Sequence, residues 1–235
     1  MDFLFDQAKF HPFGIFHILP LLIVFCIGVI AILIAKYKLQ NQGQKNLIFV
    51  LSLIPLIGYS FNLIFPTIEG DFNLQDDLPI HVCRVLAVTC PFVIWFDKRY
   101  WMGIFYFWIL AGTLNANITP DVEYAFPHWS YFNYWMVHSF LIIIPLYYVF
   151  VFKMKITLKD LKNAFWMANL FLVITYFINV LLNSNYMYSR GKPPSATILD
   201  VMGPWPIYLI TGQLLALVLF FVLYLPFYYK GKTSL

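Results

Sequence analysis

Seven long apolar runs alternate with short polar loops along the chain. A transmembrane helix needs about 20 consecutive apolar residues to cross the hydrocarbon core of a bilayer. The runs are continuous rather than alternating in polarity, which favours membrane helices over the strands of a transmembrane barrel. The sequence therefore predicts an all-α, polytopic membrane protein, a bundle of seven transmembrane helices in one integral membrane domain over residues 1–235. The predicted helices are 14–35, 46–65, 78–96, 101–118, 133–152, 163–182 and 206–229.

Composition supports a membrane protein and argues against other classes. The chain is 61% hydrophobic, 20% aromatic and only 11% charged, whereas a soluble domain carries about 25% charged residues. So few charges argue strongly against a soluble enzyme or a nucleic-acid-binding protein. The three cysteines, Cys26, Cys83 and Cys90, lie inside apolar runs and give no disulfide framework.

Basic residues are concentrated in the loops on one side of the predicted bundle. Counted over alternating sides, eleven Lys and Arg residues lie on one side and three on the other, and Arg84 falls within the third helix. The positive-inside rule places the more basic side in the cytoplasm. With seven helices, this orientation puts the N-terminus outside and the C-terminus in the cytoplasm.

Polar residues gather at the outer ends of the predicted helices. Polar groups within a bilayer are costly, so they usually face a bundle interior or a cavity and often mark function. The pattern indicates a pocket that opens toward the outer leaflet. Hydrogen bonding between helices explains part of this pattern of polar residues equally well. This applies above all to one face of the predicted sixth helix, which carries Asn169, Tyr176, Asn179 and Asn183. The predicted substrate-binding residues are His81, Arg84, Asn115, Asn117, Asp121, Tyr134, Asn179, Asn183, Asn185 and Tyr186.

Cys83 and His138 form the predicted catalytic pair. Pro79 suits the first turn of a helix, which would place Cys83 just beyond that turn. His81 lies about 200° around the helix from Cys83, so it is a poor base for that thiol. His138 lies at comparable depth in helix five, and Tyr134 shares its face and can orient it. The alternative is a buried, unreactive cysteine and a hydrogen-bonded membrane histidine.

No metal and no cofactor are predicted. The residues His81, Cys83, His128 and His138 are all ligand types for zinc. Their spacing matches no metal motif, however, and the chain contains neither a Gly-rich phosphate loop nor a Gly-x-Ser-x-Gly motif.

Several short segments resemble a known family when they are taken in order. They are Leu78-Pro79-Ile80-His81-Val82-Cys83, Thr119-Pro120-Asp121, Val137-His138, Asn183-Ser184-Asn185-Tyr186-Met187 and the stretch 199–206, which ends in Gly-Pro-Trp-Pro. Together they resemble the YwaF-type bacterial integral-membrane family over nearly the whole chain. That family has seven helices and is similar to a mammalian multispanning acyltransferase that builds polyunsaturated ether phospholipids.

The resemblance implies a lipid acyltransferase in the bacterial plasma membrane. Cys83 matches the nucleophile of that enzyme and His138 its histidine, and membrane lipids would be both acyl donor and acceptor. Under this hypothesis Arg84 holds a lipid phosphate or forms an ion pair with Asp121. An asparagine would then stabilise the oxyanion, the choices being Asn115, Asn117, Asn183 and Asn185.

Three other functions remain open from the sequence. A lipid hydrolase would share the acyl-enzyme step. A small-molecule transporter would use the outer pocket as a binding site, and a non-catalytic sensor would need neither Cys83 nor His138 for chemistry. No nucleic-acid partner is expected, and the sequence names no protein partner.

Overall fold

The described part of the chain is mostly helical. The computed structural model describes residues 2–6, 8–193 and 198–232. Within these ranges the extended structure is an isolated bridge between Lys9 and Tyr124, so the all-α prediction is confirmed. The α-helices are α1 (Ile15–Lys38), α2 (Asn41–Glu69), α3 (Val82–Trp95), α4 (Arg99–Trp108), α5 (Leu114–Ile118), α6 (Trp129–Phe150), α7 (Leu158–Leu182) and α8 (Ile207–Lys232). A π-helical turn, Ile109–Thr113, joins α4 to α5, and 3-10 turns occupy Asp2–Phe5, Tyr186–Tyr188 and Ile198–Met202.

Five of these helices are long and apolar enough to cross a membrane, so the chain is a multi-pass membrane protein. They are α1, α2, α6, α7 and residues Ile207–Tyr229 of α8. Helix α3 is apolar but has only 14 residues, or about 21 Å at 1.5 Å per residue. The predicted fourth helix runs without a gap through α4, the π turn and α5, over residues 99–118.

Several predicted boundaries differ from the structure. The second helix is longer than predicted, Asn41–Glu69, and the sixth begins at Leu158, where Thr157 and Asp160 form a capping box. Two further differences lie next to the site. The third helix begins at Val82, not near Pro79. Residues before it instead form a turn whose main-chain oxygens at Asp76 and Leu78 accept hydrogen bonds from Arg84. The helix that carries His138 begins at Trp129, four residues earlier than predicted, because His128 caps it by accepting the amide hydrogen of Ser130.

Helices α2 and α6 form an antiparallel pair at the centre of the bundle. Phe65 stacks on Trp129 at one end, with ring centroids 5.5 Å apart. At the other end the Tyr147 hydroxyl donates to the Gln44 carbonyl over 2.8 Å. Gly58 lies between them, where an added Cβ would come within 2.7 Å of Met136 Cβ. The absent side chain therefore lets the two backbones approach closely.

Two ion pairs mark what we call the basic end of the bundle. Lys45 Nζ lies 2.7 Å from Asp97 Oδ2 and joins the start of α2 to the loop after α3. Arg99 forms a two-pronged contact with Asp160, at 3.1 and 2.9 Å, and joins the starts of α4 and α7. The loops that the sequence assigns to the cytoplasm thus lie together. The opposite end, here the acidic end, holds the loops 70–81, 119–128 and 183–193.

Candidate active site

A cavity of about 620 Å³ opens at the acidic end. The start of α3, the end of α5, the loop after it, the first turns of α6 and Tyr188 form its walls. Both predicted catalytic residues lie on it, on different helices. Seven of the twelve predicted site residues line the cavity: His81, Cys83, Arg84, Asn115, Asp121, Tyr134 and His138.

Cys83 is the second residue of α3 and is partly exposed to the cavity. It thus lies within the first turn, where main-chain N–H groups have no partner inside the helix. Its Sγ lies 3.9 Å from the hydroxyl oxygen of Thr113. The other two cysteines differ in setting, since Cys90 is fully buried in the core and Cys26 is exposed on α1.

The ring of His138 is held in one orientation by Tyr134. His138 Nδ1 lies 2.9 Å from the main-chain oxygen of Tyr134, and this contact requires a hydrogen on Nδ1. The two rings also stack, with centroids 4.1 Å apart. A neutral imidazole held in this way carries its lone pair on Nε2, which is the form that accepts a proton. Tyr134 therefore fixes the ring of His138, and its role in a reaction stays a prediction.

His81 and Arg84 organise the polypeptide around the cavity mouth. His81 Nδ1 accepts the amide hydrogen of Met187 over 3.5 Å, and its ring contacts the rings of Tyr186 and Tyr188. Arg84 donates to the main-chain oxygens of Asp76 and Leu78. Among the ion pairs of the described residues there is none between Arg84 and Asp121, although both line the cavity.

Asn117 lies behind the cavity wall and not on it. Its side chain is buried and joins three helical segments. The amide nitrogen donates to the main-chain oxygens of Thr113, over 2.9 Å, and His138, over 3.1 Å. The amide oxygen accepts from the Ser139 hydroxyl over 2.6 Å. The position indicates that Asn117 supports the site without reaching a substrate.

Four further predicted residues, Asn179, Asn183, Asn185 and Tyr186, form a separate cluster at the end of α7 and in the segment after it. Asn179 is fully buried, and its amide nitrogen donates to the Tyr186 main-chain oxygen and to the Ser189 hydroxyl, each over 2.8 Å. Its amide oxygen accepts from Ser184 and from the Tyr186 amide. None of the four lines the cavity.

This cluster supports the site from outside. The Tyr186 hydroxyl donates to the Leu74 carbonyl over 2.7 Å and accepts the Leu78 amide hydrogen over 3.0 Å. Arg190 donates to the side chain of Asn183 over 3.1 Å, and Asn185 donates to the Gly191 carbonyl over 2.8 Å. The segment therefore fixes the loop that leads into α3 and Cys83.

Replacing Asn179 with alanine should destabilise the folded protein by about 1–3 kcal/mol, because buried partners lose their hydrogen bonds. Asn169→Ala is the matched control on the same helix, since among the described residues the side-chain nitrogen of Asn169 donates only to the Phe165 carbonyl of its own helix. Thermal unfolding in detergent should show a clearly lower midpoint for Asn179→Ala than for Asn169→Ala. Equal midpoints for the two variants would contradict this account.

The structure adds two residues that the sequence did not single out. Thr113 ends the π turn and lies beside Cys83, and no sequence pattern marks that turn. Tyr188 lines the cavity after a main-chain reversal in which Met187 and Tyr188 both have positive φ. Burial raises the pKa of the Tyr188 hydroxyl, so it remains a hydrogen-bond donor at neutral pH.

No group of three or more metal-ligating side chains lies together in the ranges that the structure describes. His81, Cys83, His128 and His138 all line the cavity wall without forming such a group.

Comparison with known proteins identifies a family. A family model described as the TMEM164 family matches residues 12–224, which is most of the chain. Neither a curated protein nor a solved structure matches the sequence. The match supports a membrane protein, and the resemblance to the YwaF-type family stays a prediction.

Proposed function

We propose, from the premise that this chain belongs to the TMEM164 family, that it is a membrane-embedded lipid acyltransferase in which Cys83 carries the acyl group as a thioester. One observation carries the proposal: Cys83 and His138, from different helices, line a single cavity, and the Tyr134 carbonyl holds the imidazole in the tautomer of a base. A thiol and an imidazole placed on one cavity wall are the elements of nucleophilic acyl transfer.

The proposed reaction begins with proton transfer from Cys83 Sγ to His138 Nε2. The thiolate attacks the ester carbonyl of a phospholipid and forms a tetrahedral oxyanion. As the intermediate collapses, the C–O bond breaks, and the imidazolium gives its proton to the leaving alkoxide. The hydroxyl of a second lipid, deprotonated by His138, then attacks the thioester and releases Cys83 as the leaving thiolate, which regains the proton from His138.

The first turn of α3 supplies donors for the oxyanion. The main-chain N–H groups of Cys83 and Arg84 belong to the turn whose amides have no intrahelical partner, and such fixed donors stabilise developing negative charge. Asn115 lines the cavity as a second source. The other predicted oxyanion donors, Asn117, Asn183 and Asn185, make hydrogen bonds to protein groups elsewhere.

The proposal includes seven spans, an external N-terminus and residence in a bacterial plasma membrane. Five helices are long enough to cross alone, and α3 together with the α4–π–α5 segment would complete the seven. The ion pairs of Lys45 and Arg99 support this arrangement, because they hold loops rich in basic residues at one end. Under the positive-inside rule that end is cytoplasmic, so the cavity would open to the outer leaflet.

Acyl transfer in proteoliposomes tests the function. The vesicles would contain a phospholipid with an isotope-labelled acyl chain and an unlabelled lysophospholipid, and the products would be separated by mass spectrometry. We expect labelled chains to appear on the former lysophospholipid at a rate proportional to the protein content. If labelled free fatty acid is the only labelled product, the protein is a lipid hydrolase and not a transferase. Product levels equal to those in protein-free vesicles would overturn the proposal and favour a transporter or sensor.

A further inference from the structure

The π-helical turn Ile109–Thr113 gives one threonine an unusual partner. Threonines within or at the ends of helices usually bond back to a carbonyl of their own helix. The hydroxyls of Thr67, Thr89 and Thr119 each do so, donating to the carbonyl four residues earlier. The corresponding carbonyl for Thr113 is that of Ile109, which accepts the Leu114 amide hydrogen within the π turn.

Thr113 is instead directed at the sulfur of Cys83. Its side chain is fully buried, and its hydroxyl oxygen lies 3.9 Å from Cys83 Sγ. An extra residue in a helical turn rotates the positions that follow it by about 100°, and π turns of this kind are often found at functional sites. The turn therefore accounts for a threonine hydroxyl that faces another helix.

Asn117 fixes this threonine and the histidine to one another. A single amide nitrogen donates to the main-chain oxygens of both Thr113 and His138. The carbonyl of Asn117 in turn lies 2.9 Å from Nε2 of the buried His17, which donates to it because its Nδ1 accepts the Phe13 amide hydrogen. One side chain, Asn117, therefore links Thr113, which contacts the thiol, to His138, the proposed base.

We propose that Thr113 is a positioning residue for Cys83, whose hydroxyl donates a hydrogen bond to the sulfur in its thiolate form. The hydroxyl keeps its own proton, while the thiol proton leaves to His138. The contribution to acyl transfer rests on the proposed function, whereas the hydrogen bond itself does not. A change in the reactivity of Cys83 when Thr113 is replaced would report on the contact between their side chains, because Thr113 carries no charge and lies beside the sulfur.

Other charged and titratable groups around the sulfur set a background that the test holds constant. Each lines the same cavity, on α3 or just before it, on α6, in the loop after α5, or after α7. They are Arg84, His81, His138, Tyr134, Asp121, Glu123, Tyr124, His128 and Tyr188.

The test measures how fast Cys83 is alkylated by N-ethylmaleimide as a function of pH. It uses the full chain in lipid nanodiscs, in a Cys26→Ala background, with modification followed by mass spectrometry. Thr113→Val removes the hydroxyl and keeps the shape, Thr113→Ser keeps the hydroxyl, and Thr89→Val is the control. Thr89 borders a separate apolar cleft of about 280 Å³.

We expect Thr113→Val to move the midpoint of the pH profile upward by about one unit, which means about tenfold slower alkylation near neutral pH. Thr113→Ser and Thr89→Val should keep the parent profile. If Thr113→Val does not fold, Thr113→Ala must show the same shift. A merely structural role would lower the unfolding midpoint and leave the pH profile in place.

Two results overturn the inference: coinciding profiles for Thr113→Val and the parent, or an equal shift for Thr89→Val. The measurement requires no acyl transfer, so it is independent of the proposed function. A shifted profile in a protein that transfers no acyl group would refute the acyltransferase and keep the hydrogen bond. An unshifted profile in a protein that does transfer acyl groups would refute the hydrogen bond and keep the acyltransferase.

Discussion

Replacing Cys83 with alanine is expected to reduce acyl transfer in proteoliposomes to the level of protein-free vesicles, a loss of about a thousandfold or more. The reason is that the acyl group has no other attachment point in the proposed mechanism. Cys83 faces the cavity, whereas Cys26 is exposed on α1 and Cys90 is sealed in the core. The measurement is the initial rate of labelled product formation at equal protein content.

Cys26→Ala is the matched control, because it removes a thiol from the same protein without touching the cavity. Its rate should equal that of the parent. Cys90→Ala is unsuitable, since shortening a fully buried side chain lowers stability through a cavity. A Cys83→Ala protein that remains folded and retains the parent rate would contradict the mechanism.

Replacing His138 with glutamine should lower the rate about 10²–10⁴-fold, the range typical for loss of a general acid–base group. Glutamine offers polar atoms of similar reach but no group that titrates. His11→Gln is the control, because His11 is exposed and does not line the cavity. The comparison again uses initial rates of transfer, with thermal unfolding to verify that both variants are folded.

Retention of the thioester separates the role of His138 from that of Cys83. A His138→Gln protein should form the acyl adduct slowly but at the same residue. Equal rates for His138→Gln and the parent would show that the Cys83 proton leaves to another group. His81 would then be examined first, because it lines the same cavity.

Much of the fold follows from the sequence because a bilayer imposes one strong requirement. Each long apolar run must satisfy its main-chain groups within its own helix, and so each of the seven runs is helical over most of its length in the structure. Boundaries depend on local detail that apolar runs do not carry. The start of α3 at Val82 depends on the contacts of Arg84 and Tyr186 with the preceding loop.

The pairing of Cys83 with His138 in one cavity was predictable from depth alone, since both lie near the same ends of their helices. The roles of the asparagines were not. Asn179 shares a helical face with Asn169, yet it bonds to the turn that follows α7. Asn117 is equally polar but turns inward to the Thr113 and His138 main chain. Periodicity places a side chain on a face without saying what covers that face.

Thr113 shows the same limit at the proposed catalytic centre. Its contact with Cys83 depends on the π turn, which changes the direction of every residue after it. A regular helix over residues 101–118, as the sequence predicts, would give Thr113 the usual bond to its own helix. Only the three-dimensional structure connects it with the thiol.

The intact mass of the purified protein after incubation with a phospholipid of one defined acyl chain tests the central claim most directly. The account predicts an increase equal to that acyl group, which hydroxylamine removes, and which is present in Cys26→Ala and absent from Cys83→Ala. The account would be contradicted if the wild-type protein transfers labelled chains between lipids and the Cys83→Ala protein carries the same adduct.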